Sequence, residues 1–489
     1  MIFKKIVENL SSILVARILF QVFNALTQII IARFLGVELF GVFSTALALV
    51  NTFIVANDIG MVILMIKEGS RVREKIKYYL GNTLAVQLVA SFIFYSLALI
   101  VGFSLGYEFR IMILVIILGV AYMFFEFRKP LRAVLRILLK MKKVALLEII
   151  VSALIFISIY ILSKTTVNKE IALYVIVFFQ LIGYLILSSG IYLYLRKFVK
   201  PDFSALKETR GQLKISWQYS MYNVLYVVYL QVSILMVSSM AGTTEAGLYS
   251  AASKLIVLLF VIPQMIFNIA LPLMFKYSKE NIEKYKRIHG FIHKYLVAFG
   301  FPIATGMFLL SEEIINLVYD KAEFMPAALA LQIFSVFIIF RFFGNVCGQS
   351  LTANDKQKQK LIVSGICFLI LIIGNILLIP KYGFIGAVIM TAIAETLLRI
   401  FYIFFDLKYL KTSLFPYLKK AIPIVISCTL MGGFVYFTKD FVNVIIVIVS
   451  SGLLYGLLLW VFRFFDGYDK KLYNQLFNKN DSINPHTKV

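Results

Sequence analysis

Long apolar runs fill almost the whole chain, and short polar segments separate them. A helix needs about 20 apolar residues to cross a bilayer. The pattern predicts fourteen such spans, at 10–32, 39–66, 80–106, 111–127, 144–163, 171–195, 217–240, 247–275, 295–319, 327–352, 361–379, 384–407, 421–437 and 441–462. The fold class is therefore predicted to be an all-α integral membrane protein with fourteen transmembrane helices.

Polar side chains recur at helical spacing inside the first two spans. The first span carries Arg17, Gln21, Asn24 and Gln28, and the second carries Ser44, Asn51 and Asp58. Each set falls along one stripe of its helix. Because a polar group that faces lipid costs several kcal/mol, both stripes are expected to face protein or water. The first helical hairpin is thus predicted to form two walls of a hydrophilic cavity.

The hairpin has a second copy further along the chain. Residues 34–49 and 240–255 align without gaps at an offset of 206, with five identities: Gly36/Gly242, Gly41/Gly247, Ser44/Ser250, Ala46/Ala252 and Leu49/Leu255. Six spans separate the copies, so both have the same orientation. This predicts two six-helix lobes related by a parallel repeat, with the binding site between them. The lobes are 1–200 and 210–407, followed by a terminal helix pair at 408–464 and a tail at 465–489.

The interior charges indicate what such a cavity would bind. Net positive character in a low dielectric attracts an anion, and arginine suits phosphate through its planar fork. A cargo that carries phosphate, pyrophosphate or an acidic sugar fits best. The predicted substrate-binding residues are Arg17, Gln21, Asn24, Gln28, Asn51, Asn223, Lys254 and Arg341, where Asn223 is the repeat equivalent of Arg17.

Each interior charge also has a purely structural interpretation. Arg17 could extend to the near headgroups, and Arg341 could pair with a carboxylate elsewhere in the chain. Asp58 and Glu395 could carry a coupling proton or bind sodium, or each could neutralise a neighbouring base. Glu395 precedes Arg399 by four residues, the spacing of an intrahelical ion pair.

The basic charge is distributed asymmetrically. The net charge is +24, which in a soluble protein would suggest nucleic acid as a partner. With a cytoplasmic N-terminus, the inside segments hold 38 Lys and Arg and the outside turns hold 7. The positive-inside rule then places both termini in the cytoplasm, and no nucleic-acid partner is expected.

Other chemistry lacks a motif. No phosphate-binding Gly-x4-Gly-Lys-Ser/Thr loop and no paired acid–base constellation is found in the sequence. The three cysteines, Cys347, Cys367 and Cys428, lie in apolar runs without pairing spacing. His289 and His293 are four residues apart, but no third ligand is evident. No metal and no cofactor are therefore predicted.

Four segments carry a resemblance to a known family. They are Phe34-Leu-Gly36-x4-Gly41-x-Phe43-Ser44, Ala241-Gly242-x4-Gly247-x-Tyr249-Ser250, Leu310-Ser-Glu-Glu-Ile-Ile-Asn316 and Asn375-x4-Pro380-Lys-Tyr-Gly383-x2-Gly386. With the opening helix and its Arg17, they resemble the Wzx-type polysaccharide (O-antigen) flippases. These belong to the superfamily of the MurJ lipid II flippases and the MATE multidrug exporters.

The resemblance implies a transporter rather than an enzyme. It implies alternating access that moves an undecaprenyl-pyrophosphate-linked oligosaccharide to the outer leaflet of the bacterial cytoplasmic membrane. It also implies coupling to protons or sodium, a monomer, and polysaccharide polymerase or chain-length proteins as partners. Arg17 and Lys254 match the cationic cavity positions of the family, and Arg341 matches less closely.

Two other functions remain open from the sequence. A MATE-like exporter of cations or drugs would prefer buried carboxylates and aromatics, so the four interior bases argue against it. A membrane glycosyltransferase or polymerase usually needs a large external loop with acidic residues, and the predicted outside turns are short.

Overall fold

The structure is a computed structural model that describes the backbone of residues 2–413, 415–465 and 467. It describes the side chains of the same residues except 2–15, 218–219 and 268–269. Within this part of the chain every regular element is helical, which confirms the predicted all-α class. Of the predicted tail 465–489, only 465 and 467 lie among the described residues.

Sixteen α-helices follow one another in the described part of the chain. They are α1 (Ile2–Leu35), α2 (Val37–Ile54), α3 (Met61–Arg71), α4 (Ile76–Ser104), α5 (Phe109–Ile137), α6 (Met141–Leu162), α7 (Lys169–Leu195), α8 (Thr209–Ala241), α9 (Thr243–Leu259), α10 (Val261–Glu280), α11 (Ile282–Leu309), α12 (Ser311–Tyr319), α13 (Ala327–Ala353), α14 (Gln357–Leu410), α15 (Phe415–Thr438) and α16 (Val444–Val461).

Thirteen helical segments of the described chain are long and apolar enough to cross a membrane. One of them, α14, has 54 residues, which corresponds to about 80 Å of helix. This is far more than one bilayer crossing needs. The helix is broken at Gly383, whose φ of 57° and ψ of −141° are not helical. The predicted count of fourteen is reached only if the two parts of α14, which match the predicted spans 361–379 and 384–407, are counted separately.

Three predicted spans are interrupted or end earlier than expected. The span predicted at 39–66 is interrupted by a 3-10 turn, Val55–Asp58, and by left-handed residues at Ile59 and Gly60. The span predicted at 247–275 breaks at Phe260, because Pro263 has no N–H for the Leu259 carbonyl. The span predicted at 295–319 ends at Leu309, and α12 follows as a separate helix.

The repeat is visible in the backbone of the two hairpins. Helices α1 and α8 end 206 residues apart, and α2 and α9 begin 206 residues apart. The linking residue is Gly36 with φ 90° and ψ 174° in the first copy, and Gly242 with φ 95° and ψ 173° in the second. Because this conformation is essentially confined to glycine, the sequence match at these two positions reports a shared turn.

The described helices pack as two compact units. Unit 1 consists of the described residues of Met1–Lys254, Asn316–Ala327 and Phe368–Thr391, and unit 2 of those of Leu255–Ile315, Ala328–Cys367 and Ala392–Val489. The interior of unit 1 contains fully buried Phe40, Phe43 and Leu49. In unit 2, α11, α15 and α16 share a core around Val297, Cys428 and Tyr455. These boundaries differ from the predicted lobes 1–200 and 210–407, and the lobe division stays a prediction.

Candidate functional site

The ammonium group of Lys254 is the centre of the candidate site in unit 1. Its Nζ donates a hydrogen bond to Gln28 Oε1 of α1 and lies 3.4 Å from Ser44 Oγ of α2. It also lies 4.6 Å from the centre of the Phe40 ring and 5.5 Å from that of Phe43. Cations are attracted to aromatic faces at such distances. The described residues provide an amide, a hydroxyl and two rings around this ammonium group, but no carboxylate in contact with it.

This group of contacts joins residues that the sequence had linked only by pattern. Gln28 ends the polar stripe of α1, Ser44 begins that of α2, and Lys254 lies within the repeated segment 240–255 in α9. We call Lys254, Gln28, Ser44, Phe40 and Phe43 the lysine cluster. It forms because the glycine-rich starts of α2 and α9 allow close backbone approach.

The rest of the α1 stripe leads away from the lysine cluster. Arg17 is exposed, and Gln21 and Asn24 are half-buried. The Asn24 side chain donates to the Phe20 carbonyl of its own helix at 2.7 Å. Arg17 lies eleven residues before Gln28 in the same helix, which is about 16 Å along the axis. The stripe is thus continuous in α1, but Arg17 does not contact the lysine cluster.

Arg17 instead interacts electrostatically with a second group of basic residues, the arginines near Glu148. The Glu148 carboxylate accepts hydrogen bonds from Arg128 at 2.8 Å and forms an ion pair with Arg132 at 3.0 Å. Arg17 is an electrostatic neighbour of Arg132, as is Arg136. Two guanidinium groups therefore share the Glu148 carboxylate, and Arg17 and Arg136 lie close enough to Arg132 to act on its charge. The sequence placed Arg128, Arg132 and Arg136 in a topology-determining loop, because the predicted span stopped at 127, whereas α5 continues to Ile137.

Asp58 lies at the break between α2 and α3. Its Oδ1 accepts the Gly60 N–H at 2.5 Å, which stabilises the left-handed turn. The nearest charges acting on it are Lys129 and Glu126, which form an ion pair with each other. The carboxylate thus has a structural task at the turn. Its predicted role in ion coupling stays a prediction.

The two remaining predicted amides lie apart from the lysine cluster. Asn51 is half-buried in α2 and is a hydrogen-bond neighbour of Tyr122. Asn223 is exposed in α8. Their predicted part in substrate binding stays a prediction.

Unit 2 pairs its interior arginines with one carboxylate. Arg341 Nη1 lies 2.7 Å and Arg399 Nη2 lies 3.0 Å from Oε2 of Glu395, and all three residues are buried. The Arg341 guanidinium also stacks 3.4 Å from the centre of the Phe260 ring. The structural interpretation of Arg341, pairing with a carboxylate elsewhere in the chain, therefore matches the geometry. A substrate or coupling role for Arg341 and Glu395 stays a prediction.

One cluster of polar side chains in unit 1 was not predicted from the sequence. Thr391 Oγ1 lies 3.2 Å from Ser233 Oγ and 3.0 Å from the Tyr249 hydroxyl, and Asn375 Nδ2 donates to Ser233 at 3.2 Å. The Asn375 carbonyl oxygen is buried without a hydrogen-bond partner among the described residues. The only signal in the sequence was the occurrence of hydroxyl and amide side chains inside apolar runs.

The sequence of the chain matches two families. The family described as polysaccharide biosynthesis protein matches residues 6–278, more than half of the chain. The chain belongs to the polysaccharide biosynthesis protein family. The MatE family also matches, over residues 220–377. The chain is 31% identical over 194 residues to an uncharacterized membrane protein, MJ1068, of Methanocaldococcus jannaschii. That match covers 37% of this chain and about a third, 36%, of that relative's length.

Solved structures of transporters share the fold. The lipid II flippase MurJ, in an inward closed conformation, superposes with a TM-score of 0.72 at 18% identity over 92% of this chain and 98% of its own. An inward-facing multidrug resistance MATE family transporter superposes with a TM-score of 0.62 at 16% identity over 80% of this chain and 94% of its own. The predicted membership of the superfamily that contains MurJ and the MATE exporters, the MOP superfamily, is confirmed, and the matched families are those of transporters rather than enzymes. This member of the polysaccharide biosynthesis protein family is a multi-pass membrane protein.

Proposed function

We propose that the chain flips undecaprenyl-pyrophosphate-linked oligosaccharide repeat units to the outer leaflet of a bacterial cytoplasmic membrane by alternating access. The observation that carries the proposal is the lysine cluster. The Lys254 amine lies among two aromatic rings and two neutral polar groups, with no carboxylate in contact among the described residues. Lys254 is half-buried. A positive charge held there without a compensating carboxylate is costly, and an anionic cargo would compensate it.

The cargo chemistry follows from the sorting of the interior charges. Glu395 already accepts a hydrogen bond from each of Arg341 and Arg399, so these two guanidinium groups are less available to an anion. Arg17 and Lys254 have no carboxylate in contact within the described part of the chain. A pyrophosphate has two negatively charged groups that would accept hydrogen bonds from such bases, while the prenyl chain would stay in the bilayer.

The stripe of α1 suggests the route of the polar head. Arg17, with the guanidinium groups near Glu148, would attract the pyrophosphate at the predicted cytoplasmic side. Gln21 and Asn24 would line the way to Gln28 and Lys254, about 16 Å further along the helix. The chain would act as a monomer, with both termini in the cytoplasm and with coupling to a proton or sodium ion.

The test is transport by defined variants. In cells that lack their own flippase, and in vesicles that contain a lipid-linked oligosaccharide, wild type should move the glycan outward. Lys254→Met and Arg17→Gln should each lower the transport rate at least about tenfold, the effect of losing roughly 1.4 kcal/mol of binding. Lys254→Arg should keep most of the rate. Arg71→Gln, in an exposed arginine, is the matched control.

Full activity of both Lys254→Met and Arg17→Gln would contradict the anion-binding role. Wild type that moves no lipid-linked glycan in either assay would contradict the flippase function itself.

The MatE match over residues 220–377 favours a second candidate, an exporter of cations or drugs. A cationic cargo would be repelled by the ammonium group of Lys254, which is why the flippase is preferred. Expression of the chain in a sensitive host separates the two. Resistance to cationic dyes, retained by Lys254→Met, would support the exporter.

A further inference from the structure

Three side chains with metal-binding chemistry meet inside unit 2. His289 of α11, Cys347 of α13 and Asp406 of α14 are all buried, with exposed fractions of 1%, 3% and 0%. One ligand atom from each lies within 4.8 Å of the others. The sequence paired His289 only with His293 and found no third ligand, because Cys347 and Asp406 are 58 and 117 residues further along the chain.

The contact between His289 and Asp406 differs from an ordinary hydrogen bond. Nε2 of His289 lies 3.0 Å from Oδ2 of Asp406. Despite this short distance, Nε2 and Oδ2 are not aligned for a hydrogen bond with each other, and the Cys347 thiol lies within hydrogen-bonding reach of the Asp406 carboxylate. Buried polar atoms are almost always paired. Two atoms that are close but misaligned for a hydrogen bond can both be directed at a common third atom, and the Cys347 sulfur lies within 4.8 Å of both.

The surroundings of His289 engage one ring nitrogen and leave the other directed at Cys347 and Asp406. Nδ1 lies 3.2 Å from the hydroxyl of Tyr417 in α15. Histidine ligands usually hydrogen-bond through the nitrogen that does not bind the metal, and this contact fixes the tautomer and the ring orientation. In the tautomer in which Nδ1–H donates to the Tyr417 hydroxyl, Nε2 presents its lone pair toward Cys347 and Asp406. His293 is not part of the group, because its ring packs against Phe343 and Tyr417.

Charge balance supports a divalent cation. A thiolate, a carboxylate and a neutral imidazole carry two negative charges together, which a divalent ion neutralises. Sulfur, nitrogen and oxygen ligands of this kind are those that zinc prefers. We propose that His289, Cys347 and Asp406 bind a zinc-type transition-metal ion, which ties α11, α13 and α14 together within unit 2. This site is independent of the transport activity proposed above.

Metal content of the full-length protein, purified in detergent without chelator, is the first test. Wild type supplied with Zn²⁺ should retain about one ion per chain. His289→Gln, Cys347→Ser and Asp406→Asn should each bind Zn²⁺ at least about tenfold more weakly, and Tyr417→Phe should lose roughly ten- to a hundredfold in affinity. The matched controls are His293→Gln for the histidine, and Cys367→Ser and Cys428→Ser for the cysteine. These controls should keep the ion.

A second measurement needs no substitution, which matters because a change inside a buried cluster can prevent folding. Wild type loaded with Co²⁺ in place of Zn²⁺ should show a thiolate-to-cobalt charge-transfer band, and addition of Zn²⁺ should abolish it. Wild type that binds neither Zn²⁺ nor Co²⁺ would overturn the proposal. So would a cobalt band that is unchanged in folded Cys347→Ser, since the sulfur would then come from elsewhere.

Discussion

Gly41 of α2 and Gly247 of α9 each face the backbone at the start of the other's helix. A Cβ on Gly41 would lie 1.8 Å from the Thr243 carbonyl oxygen, and a Cβ on Gly247 would lie 2.1 Å from that of Val37. The repeat offset of 206 maps Gly41 onto Gly247 and Val37 onto Thr243. The two contacts are therefore the same contact made twice across a pseudo-twofold axis, and it brings the lysine of α9 to the polar residues of α1 and α2.

Gly41→Ala and Gly247→Ala should destabilise the protein. The added methyl group would force apart two backbones that are already in contact, and overpacking of this kind costs about 1–3 kcal/mol, occasionally more. Thermal unfolding in detergent measures the loss. The control is Gly456→Ala in α16, where a Cβ would meet no atom within 4 Å, and its melting temperature should equal or exceed that of wild type. Wild-type stability of both variants would rule out the close packing.

Gly242→Ala isolates the backbone strain of the linking turn. Gly242 has φ 95°, but a Cβ there would meet no atom within 4 Å, so steric contact plays no part. The strain in this glycine-only conformation should lower the free energy of unfolding by about 1–3 kcal/mol. Gly211→Ala, with equally open space and no positive φ, is the control and should have little effect. Equal melting temperatures for the two variants would contradict the turn geometry.

Lys254→Met and Arg341→Met should differ in their effect on stability, and Lys254→Met should also lower transport. Removing Lys254 deletes a charge that no carboxylate compensates in the described structure, so the melting temperature should stay the same or rise while transport falls. Removing Arg341 leaves the buried Glu395 with one of its two arginine partners and should cost roughly 3 kcal/mol. Unfolding and transport are measured on the same preparations. A large loss of stability in Lys254→Met would show that the ammonium has a structural role.

Asp58→Asn and Asp58→Ala distinguish the role of Asp58 in stabilising the turn from a role of its charge in ion coupling. The asparagine carbonyl oxygen can still accept the Gly60 N–H, whereas alanine cannot, so only Asp58→Ala should lose about 1 kcal/mol. If the carboxylate carries the coupling ion, both variants should lose the response of transport to an imposed proton or sodium gradient. A normal gradient response in Asp58→Asn would leave Asp58 with the turn alone.

The membrane helices and the hairpin repeat could be predicted from the sequence. Apolar run length specifies a membrane helix because the bilayer requires it, and each helical span was found in this way. Breaks inside the spans were missed where the cause is local but does not change hydropathy, as at Asp58–Gly60 and before Pro263. The hairpin repeat was found because only glycine satisfies its turn and its close packing. The glycines therefore recur at equivalent positions of the two copies in the sequence.

The residues of the candidate sites could be predicted only in part from the sequence. Periodicity identified the polar face of α1 and the presence of Lys254, Arg341 and Glu395 within apolar helices. It could not assign Gln28 to Lys254, 226 residues away, nor Arg341 to Glu395.

By itself, the sequence determined the long apolar helices, the polar stripes of α1 and α2 and the repeated hairpin, because these follow from the periodicity of one segment and from local backbone sterics. The tertiary structure alone decided which charges compensate each other, and it brought His289, Cys347 and Asp406 together. The physical reason is that helix periodicity specifies the direction in which a side chain projects, whereas the partner it meets depends on the packing of helices distant in the chain.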